Sequence, residues 1–268
     1  MLTNVSQRWR AGRDKYRPAG EVIDTSKYEV APITVNGKPA DKPAKDFVQK
    51  HHYSGTMPAA RERVGLYRGG IMVGCAVFSV PCRMSVLDCL PCPRDAAVEL
   101  GRFVLLDDVP GNGETWFLAR CFEYLRREGY EGVVSFSDPM PRTDATGRIV
   151  FKGHLGGIYQ SSNAVYAGRA SARTQWLLPD GSVFSERAMS KVRGRERGWR
   201  YSVDQLVAHG APQPSVDDLA AWLREVKPLV LRPFRHAGNH KYLFGLTKPV
   251  KRRLPASLPY PKLDLPTL

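Results

Sequence analysis

The chain has 268 residues, of which 43% are hydrophobic, so it can bury the core of one domain or of one domain with an appended lobe. Forty Lys and Arg residues against 26 Asp and Glu give a formal charge of +14, which favours a polyanionic partner, with nucleic acid as the first candidate. The sequence has no apolar run near the ~20 residues of a membrane span and no signal-peptide core at its N-terminus, so we expect a soluble cytoplasmic protein with no membrane partner.

The N-terminal part begins with a basic, polar segment. Residues 1–27 are rich in Arg, Lys and Gly, and they predict an arm that is poorly ordered until it meets a partner. Residues 28–34 alternate enough to form a first strand, which Pro32 would confine to the edge of a sheet.

Two adjacent histidines end the next predicted element, a short helix over residues 44–52. On a helix His51 and His52 would point about 100° apart, so at most one of them faces a given site. An isolated histidine here is more often a satisfied surface group than a ligand or a base.

Two glycines and a cysteine-rich loop come next. Gly69 and Gly70 separate the apolar runs within residues 64–80, which predicts a hairpin. The loop over residues 81–96 is expected to lie on the surface of the sheet and not within it. Three of its cysteines could be zinc ligands or include a redox pair, but there is no second CxxC, so we expect reduced thiols. The five cysteines of the chain are Cys75, Cys82, Cys89, Cys92 and Cys121.

The strand predicted over residues 97–106 carries two charges in an otherwise apolar run. Glu99 and Arg102 are three residues apart and would point to opposite faces of a regular strand. A bulge between them would change that alternation and open a cleft against the following strand. An edge strand with a partner for each charge is the alternative, but the strands on either side read as buried and favour the cleft.

The next strand ends on an acidic residue. Residues 107–113 end the preceding strand, and an amphipathic helix is predicted over 114–127. The β-branched run 130–136 then predicts a buried strand. Pro139 cannot extend a ladder, so the strand should stop with Asp138 at its carboxyl end. Ligands bind at that end of the strands in an α/β sheet.

A glycine cluster follows in residues 153–168, which read GHLGGIYQSSNAVYAG. Glycines beside His154 would let the backbone approach a ligand closely at a helix start. Tyr159 and Tyr166 fall at roughly helical spacing, and a packed helix face is the simplest interpretation of the two rings.

Residues 135–168 carry a pattern that resembles the Mom family of bacteriophage DNA-modification proteins. The pattern, SxxDP followed by GHxGxIYxxSNxxYxG, is present as Ser135, Asp138, Pro139, His154, Gly156, Ile158, Tyr159, Ser162, Asn163, Tyr166 and Gly168. The resemblance implies a GNAT-like acyltransferase fold of the α/β (α+β) class, with a mixed central sheet and a splayed cleft. It also implies conversion of adenine in duplex DNA to a methylcarbamoyl-type base that resists restriction enzymes.

Catalytic roles follow from this combination of residues and resemblance. Asp138 is expected to accept a proton from the amine, or to orient it, beside His154. Ser135 and Arg102 are expected to position the acyl carbonyl and its carrier. His52 is the second candidate base, because the resemblance places its His-Tyr-Ser triplet in the active site.

Substrate contacts are expected from aromatic and polar groups near these residues. Tyr159, also a candidate catalytic residue, or Tyr166 would stack on a base flipped out of the duplex. Tyr53, Glu99 and Asn163 are the further candidates for contacts with the substrate.

An acyl-CoA, in the first place acetyl-CoA, is the cofactor that a GNAT-like fold implies. Its pyrophosphate would meet the helix start at Gly111, Gly113 and Thr115, with Arg102 nearby. The glycine pattern departs from the usual GNAT signature, and Glu114 in the first helical turn repels phosphate.

The resemblance also implies an iron requirement. His52, Asp138 and His154 are the candidate ligands, although their spacing in the sequence supplies no independent support for a metal.

The C-terminal part combines a hairpin, a basic run and helices. Residues 170–184 predict a second hairpin around a Pro-Asp-Gly turn, and helices are expected over 202–209 and 215–226, the latter with Ser215 as N-cap. A charge run such as 187–200 is usually a solvated face, but the interleaved aromatics and glycines favour an element that follows DNA phosphates. Its candidate contacts are Arg193, Arg195, Arg197, Trp199 and Arg200.

Three regions are therefore expected: the arm over 1–27, a GNAT-like catalytic core over 28–200, and C-terminal helices, a last strand and a basic tail over 201–268 packed on the core. Double-stranded DNA is the expected partner, and a homodimer is left open. The alternatives are an acyltransferase that acts on the amine of a hypermodified pyrimidine in phage DNA, an acyltransferase that acts on a small amine or a protein, and a DNA-binding protein without catalytic activity.

Overall fold

The computed structural model describes residues 22–215 and 218–262. Its strands are β1 (Tyr28–Pro32), β2 (Thr34–Val35), β3 (Lys38–Pro39), β4 (Ala60–Arg68), β5 (Ile71–Ser79), β6 (Ala97–Leu105), β7 (Gly132–Ser137), β8 (Arg142–Thr143), β9 (Ile149–Phe151), β10 (Val165–Arg169), β11 (Arg173–Leu177), β12 (Val183–Phe184), β13 (Arg232–His236) and β14 (His240–Gly245). Its α-helices are α1 (Asp41–His51), α2 (Gly113–Arg127), α3 (Gly157–Ser161), α4 (Glu186–Gly194), α5 (Trp199–Ala208), α6 (Leu219–Val230) and α7 (Lys248–Arg253).

A seven-stranded sheet in the order β1-β4-β5-β6-β7-β14-β10 organises the molecule. The pairs are antiparallel except β6 with β7, which run parallel. The predicted mixed central sheet is therefore confirmed, as are the first hairpin, formed by β4 and β5, and the edge position of β1. None of the helices in the described ranges is long and apolar enough to cross a membrane.

The parallel pair at the centre of the sheet is short. It runs from Ala97 opposite Gly132 to Leu100 opposite Ser135, after which β6 continues along β5 while β7 continues along β14. Gly101 has no partner in the register between β5 and β6, so a bulge separates Glu99 from Arg102. The bulge that the GNAT-like resemblance implies between these two charges is therefore present, and the two strands part after Leu100 and Ser135.

Apolar side chains cover both faces of this sheet. On one face α2 buries its predicted core side, including Phe117, Leu118 and Leu125, against the strands. On the other face α1 buries Ala44 and Val48. Each large apolar side chain buried in this way contributes roughly 1.5–3 kcal/mol, which holds the strands that form the cleft.

A separate lobe lies in the chain between β10 and β14. The three-stranded sheet β12-β11-β13 and the helices α4, α5 and α6 enclose a second apolar core, whose members include Phe184, Met189, Leu206, Trp222 and Val226. The second predicted hairpin is β11 with β12. The expected boundary at residue 200 cuts through this lobe, and β14, placed outside the core by that boundary, lies inside the central sheet between β7 and β10.

Several local expectations differ from the structure. The helix expected behind His154 lasts only from Gly157 to Ser161, and Tyr166 lies on β10 instead of on that helix. The N-cap of α6 is Asp218, whose side chain accepts hydrogen bonds from two backbone amides, and not Ser215. Residues 1–21 of the predicted arm lie outside the described residues, whereas Ile23 is buried and donates its backbone N–H to Gly111 O at 2.9 Å.

Candidate active site

Asp138 follows the last residue of β7, at the mouth of the cleft where β6 and β7 part. One of its carboxylate oxygens accepts hydrogen bonds from His236 Nε2 at 2.9 Å and from the backbone N–H of Met140 at 3.0 Å. The other oxygen pairs with Arg142. Because His236 Nδ1 accepts the backbone N–H of Gly238 at 2.9 Å, the ring proton sits on Nε2 and is donated to Asp138.

The carboxylate of Asp138 is ionised and held in place. Burial would raise its pKa, but the charge of Arg142 and the hydrogen bonds from His236, Met140 and Arg142 outweigh burial and leave the pKa below its usual value. A carboxylate with this many donors orients the groups around it. Of the two roles expected for Asp138, the geometry favours orientation over acceptance of a proton.

His154 lies directly beside this carboxylate. Its backbone N–H donates to Asp138 O at 2.8 Å, and its Nε2 lies 3.1 Å from the hydroxyl of Tyr53. The Tyr53 ring centre is 4.8 Å from that of Phe151, and the guanidinium of Arg142 lies 4.0 Å from the Phe151 ring centre. The tip of β7 is therefore joined to the loop that carries Tyr53 by the ion pair of Asp138 with Arg142, by the ring contacts of Phe151 and by the backbone hydrogen bond of His154.

Burial sets the protonation of this histidine and tyrosine. It lowers the pKa of His154 to about 4, with Asp138 acting in the opposite direction. It also raises the pKa of Tyr53 well above the usual range. At neutral pH the pair therefore consists of a neutral imidazole, which can accept a proton, and a phenol, which can donate one.

His52 is the histidine that faces this site. Its Nδ1 accepts the backbone N–H of Ser54 at 3.1 Å, and burial, followed by the charges of Arg102 and His154, lowers its pKa well below the usual value. His51 instead packs against Phe47, with ring centres 4.7 Å apart. The prediction that at most one of the adjacent histidines faces the site agrees with this placement.

Arg102 ties the loop after α1 to β6. Its Nε donates to Thr56 O at 2.7 Å, one Nη donates to Thr56 Oγ1 at 2.8 Å, and the other donates to Gly101 O at 2.6 Å. Burial lowers the pKa of Arg102, and burial likewise raises the pKa of Glu99, against the charge of Arg102. The bulge thus places both charges in one buried setting, and Arg102 positions the loop that carries His52 and Tyr53.

Ser135 and the two predicted stacking tyrosines lie deeper. Ser135 Oγ donates to Leu100 O at 3.1 Å, at the last paired position of the two strands. Burial raises the pKa of Tyr159, which a hydrogen bond with Ser135 partly offsets. Tyr159 and Tyr166 are 7% and 8% exposed, and the Tyr166 hydroxyl lies 2.7 Å from His240 Nδ1. This placement favours packing over stacking on a base for both rings.

Asn163 lies in the exposed turn between α3 and β10 with a φ of 57°. Asparagine tolerates this left-handed conformation better than most residues, which accounts for its presence independently of any substrate contact.

At the start of α2, several groups expected to meet the pyrophosphate of coenzyme A have partners within the protein. The backbone N–H of Gly113 donates to Pro110 O at 3.1 Å, and a Cβ there would lie 2.6 Å from Val109, so this glycine is needed for packing. Residues 22 and 23 run alongside Gly111, and Thr115 Oγ1 donates to Asn112 O. Glu114 adds negative charge in the first turn.

The proposed iron ligands do not form a metal site. Across residues 22–215 and 218–262, no cluster of three or more His, Cys, Asp or Glu side chains has the placement to hold a metal ion. Asp138 is occupied by Arg142 and His236, and His154 Nε2 is close to Tyr53, so the iron expectation is not supported. The cysteines of the described residues are likewise free of disulfides, with Cys82 exposed.

The arginine-rich segment lies on the lobe, in α4, the following turn and the start of α5. Arg193 pairs with Glu186 at 2.6 Å, and Trp199 is half-buried against the lobe core. The other three predicted contacts, Arg195, Arg197 and Arg200, are exposed.

Sequence reasoning did not find three residues that hold the site together. Arg142 is four residues from Asp138, a spacing that could have suggested an ion pair, although the loop between them has no regular periodicity. His236 is 98 residues away from Asp138, and Thr56 is 46 residues away from Arg102. Nothing in the local sequence signals either contact.

A model of the Mom protein family matches residues 33–262 of the chain. A search of curated proteins found no match. Among solved structures, a tandem GNAT protein from the clavulanic acid biosynthesis pathway is 9% identical, with a TM-score of 0.41 and coverage of 82% of this chain and 99% of that chain. A GNAT family acetyltransferase from Elizabethkingia anophelis with acetyl-CoA bound is 11% identical, with a TM-score of 0.33 and coverage of 82% and 98%.

An acetyltransferase from Bacillus subtilis in complex with CoA is also 11% identical, with a TM-score of 0.31 and coverage of 82% and 100%. Likeness at this level carries no argument about activity. The topology itself, an antiparallel sheet with one splayed parallel pair beside a bulged strand, is the GNAT-like arrangement that the resemblance implied.

Acidification should destabilise the protein through His154. Its folded pKa, about 4, lies below the unfolded value near 6.5, so the unfolded state takes up the proton first as the pH falls through this interval. The contribution of neutral His154 to the free energy of unfolding is therefore fully present above pH 6.5 and is lost as the pH falls towards 4. Allowing for partial exposure of the residue, we expect a loss of about 1 kcal/mol between pH 7 and pH 5.5 in urea unfolding. His154→Gln should flatten this dependence by about that amount, and an unchanged slope would contradict the assignment.

Removing the His236 donor should destabilise the fold more than removing the half-buried His209 of the lobe. We expect His236→Ala to lower the free energy of unfolding by about 2–4 kcal/mol, because it leaves part of the buried Asp138 carboxylate unpaired. His236→Gln should lose less, because its amide can still donate. The control His209→Ala, on the lobe surface, should lose under about 1 kcal/mol. Equal losses for His236→Ala and the control would show that the contact contributes little.

Proposed function

The chain belongs to the Mom protein family, and on that premise we propose that it transfers an acyl- or carbamoyl-type group to the exocyclic amine of adenine in double-stranded DNA, protecting the DNA from restriction. Family membership supports an acyltransferase-like phage protein. The proton-transfer chemistry in this proposal is supported by one observation, the neutral His154 within hydrogen-bond distance of the protonated Tyr53, and the choice of adenine as acceptor is supported by the resemblance to the family.

The acceptor determines what the site must do. An exocyclic aromatic amine is a weak nucleophile, and it carries no positive charge at neutral pH. When its nitrogen attacks a carbonyl carbon, the N–C bond forms, the carbonyl π electrons move to oxygen, and the nitrogen becomes strongly acidic. A weak base is then sufficient to remove the proton, so an imidazole with a pKa of about 4 suits this step.

The second half of the reaction expels the carrier. The carbonyl re-forms as the bond to the leaving group breaks, and the proton held on the imidazole can return to that group. Tyr53, whose hydroxyl lies 3.1 Å from His154 Nε2, can supply a hydrogen bond to the oxygen on which charge develops. The carboxylate of Asp138 acts in this account by holding Arg142 and His236, not by taking the proton.

The donor of the transferred group is the second part of the proposal. Two of the structures reported above contain acetyl-CoA or CoA, and an acyl-CoA remains our candidate donor. Of the groups at the start of α2 expected to bind its pyrophosphate, Gly113 and Thr115 have partners within the protein. An acyltransferase that acts on the amine of a hypermodified pyrimidine would use the same proton transfer, and it differs only in the acceptor presented.

The proposal is tested by nucleoside mass spectrometry of plasmid DNA from cells that express the wild type, His154→Gln, Asp138→Ala or the matched control His209→Gln. The wild type and the control should yield a new, heavier adenine nucleoside. His154→Gln should lower its yield at least roughly 100-fold, the usual effect of losing a general base, while circular dichroism shows the variant to be folded. Asp138→Ala should also lower the yield, with lower stability.

Two results would count against the proposal. An undiminished yield from His154→Gln would remove this residue from the chemistry. The second result concerns the acceptor. If the wild type modifies no adenine in plasmid DNA, either in cells or in vitro, but does modify phage DNA that already carries an amino-pyrimidine, the acceptor is that pyrimidine instead of adenine.

A further inference from the structure

Two short helices of the lobe are joined by a tight turn. Helix α4 ends at Gly194 and α5 begins at Trp199, and the four residues between them include Arg195 and Gly198, with φ of 47° and 85°. Helix α4 packs on both α5 and α6, and all three helices contribute side chains to the lobe core. Consecutive short helices joined by a turn of this length and braced by a third element are the layout of helix-turn-helix modules, whose second helix enters the major groove of DNA.

The two faces of α5 differ sharply. Val203 and Leu206 are buried in the lobe core, whereas Arg200, Tyr201 and Asp204 are exposed. Tyr201 is 70% exposed, although a tyrosine ring usually buries much of its apolar surface. The exposed face therefore offers one cation, one aromatic ring and one carboxylate within about one turn of helix.

Ion pairs brace the turn between the helices. Arg187 on α4 pairs with Glu196 in the turn, and Arg193 pairs with Glu186 on α4 itself. Residues 187–200 nevertheless contain six basic residues and one acidic residue. Arg197 and Arg200, at the entrance to α5, are exposed, so the excess positive charge lies where a helix of this kind meets the DNA backbone.

We propose that α5 reads base edges in the major groove of duplex DNA and so selects the sequence context of the modified base. This inference rests on the proposed function, because it takes duplex DNA as the substrate. A surface that only followed phosphates would be uniformly basic, and a carboxylate would weaken it. Asp204 can instead accept a hydrogen bond from the amino group of cytosine, and Arg200 can donate two to guanine, whereas Arg197 suits a phosphate.

Hydrogen bonds from β13 are among the contacts that hold the lobe to the candidate site. His236, at the end of β13, donates to Asp138, and an Arg232 Nη donates to Thr143 O at 2.9 Å. A base sequence bound by α5 would therefore lie at a fixed offset from the base presented to His154. Selection of context at such an offset follows from these attachments of the lobe.

The test maps modified positions in plasmid DNA by sequencing, for the wild type, Asp204→Asn, Tyr201→Ala, Arg197→Ala and the control Arg224→Ala, an exposed arginine on α6. Asp204→Asn and Tyr201→Ala should redistribute modification, relaxing discrimination at one or two base positions by roughly tenfold, whatever their total yield. Arg197→Ala should leave the sequence context of modification unchanged but weaken binding to duplex DNA. The dependence of its binding constant on salt concentration should fall by the equivalent of about one phosphate contact. The control should match the wild type in both measurements.

A second measurement separates this inference from the proposed function. Purified wild-type protein is incubated with a pool of random duplexes, and the retained sequences are read. A preferred motif that is lost in Asp204→Asn and Tyr201→Ala supports the inference even if no nucleoside is ever formed. Retention without any motif, or modification contexts that are unchanged in both variants while the wild type is active, would overturn it.

Discussion

The early parting of β6 and β7 is the constraint on which the rest of the site depends. These two strands pair only as far as Leu100 and Ser135, because the bulge at Gly101 turns β6 away from its neighbour. A Cβ at Gly101 would lie 2.3 Å from Ser79 Oγ, so the bulged position is packed too closely for a side chain. Beyond it, Arg102 turns towards Thr56 and carries the loop with His52 and Tyr53 to the tip of β7.

Burial and neighbouring charges then set a different protonation state for each of the groups in the site. Asp138 stays ionised because Arg142 and His236 compensate its burial, whereas His52 and His154 are neutral because burial is not compensated. An ionised group with several fixed partners is suited to orientation, and a neutral imidazole beside a protonated phenol is suited to proton transfer. The same low-dielectric setting that fixes these states would also strengthen any hydrogen bond made to a developing oxyanion.

The sequence predicted the local parts of this arrangement and missed the distant ones. The resemblance to a GNAT-like fold implies the bulge between Glu99 and Arg102, and Pro139 predicts the end of β7 because it cannot donate to a ladder. The helix expected to carry both Tyr159 and Tyr166 failed because α3 stops after Ser161 and the left-handed Asn163 turns the chain into β10. The contact of His236 with Asp138 depends on how the lobe packs against the central sheet, and no local sequence pattern predicts that packing.

The central claim is that a neutral, half-buried His154 meets Tyr53 beside the end of β7. It is tested most directly by NMR titration of the protein labelled with ¹⁵N in its histidine rings, with His154 assigned by comparison with His154→Gln. The account predicts that the imidazole stays neutral down to a pKa of about 4 and that Tyr53→Phe shifts its ring ¹⁵N signals at neutral pH. A His154 that titrates near 6.5 or above, with signals indifferent to Tyr53→Phe, would contradict it.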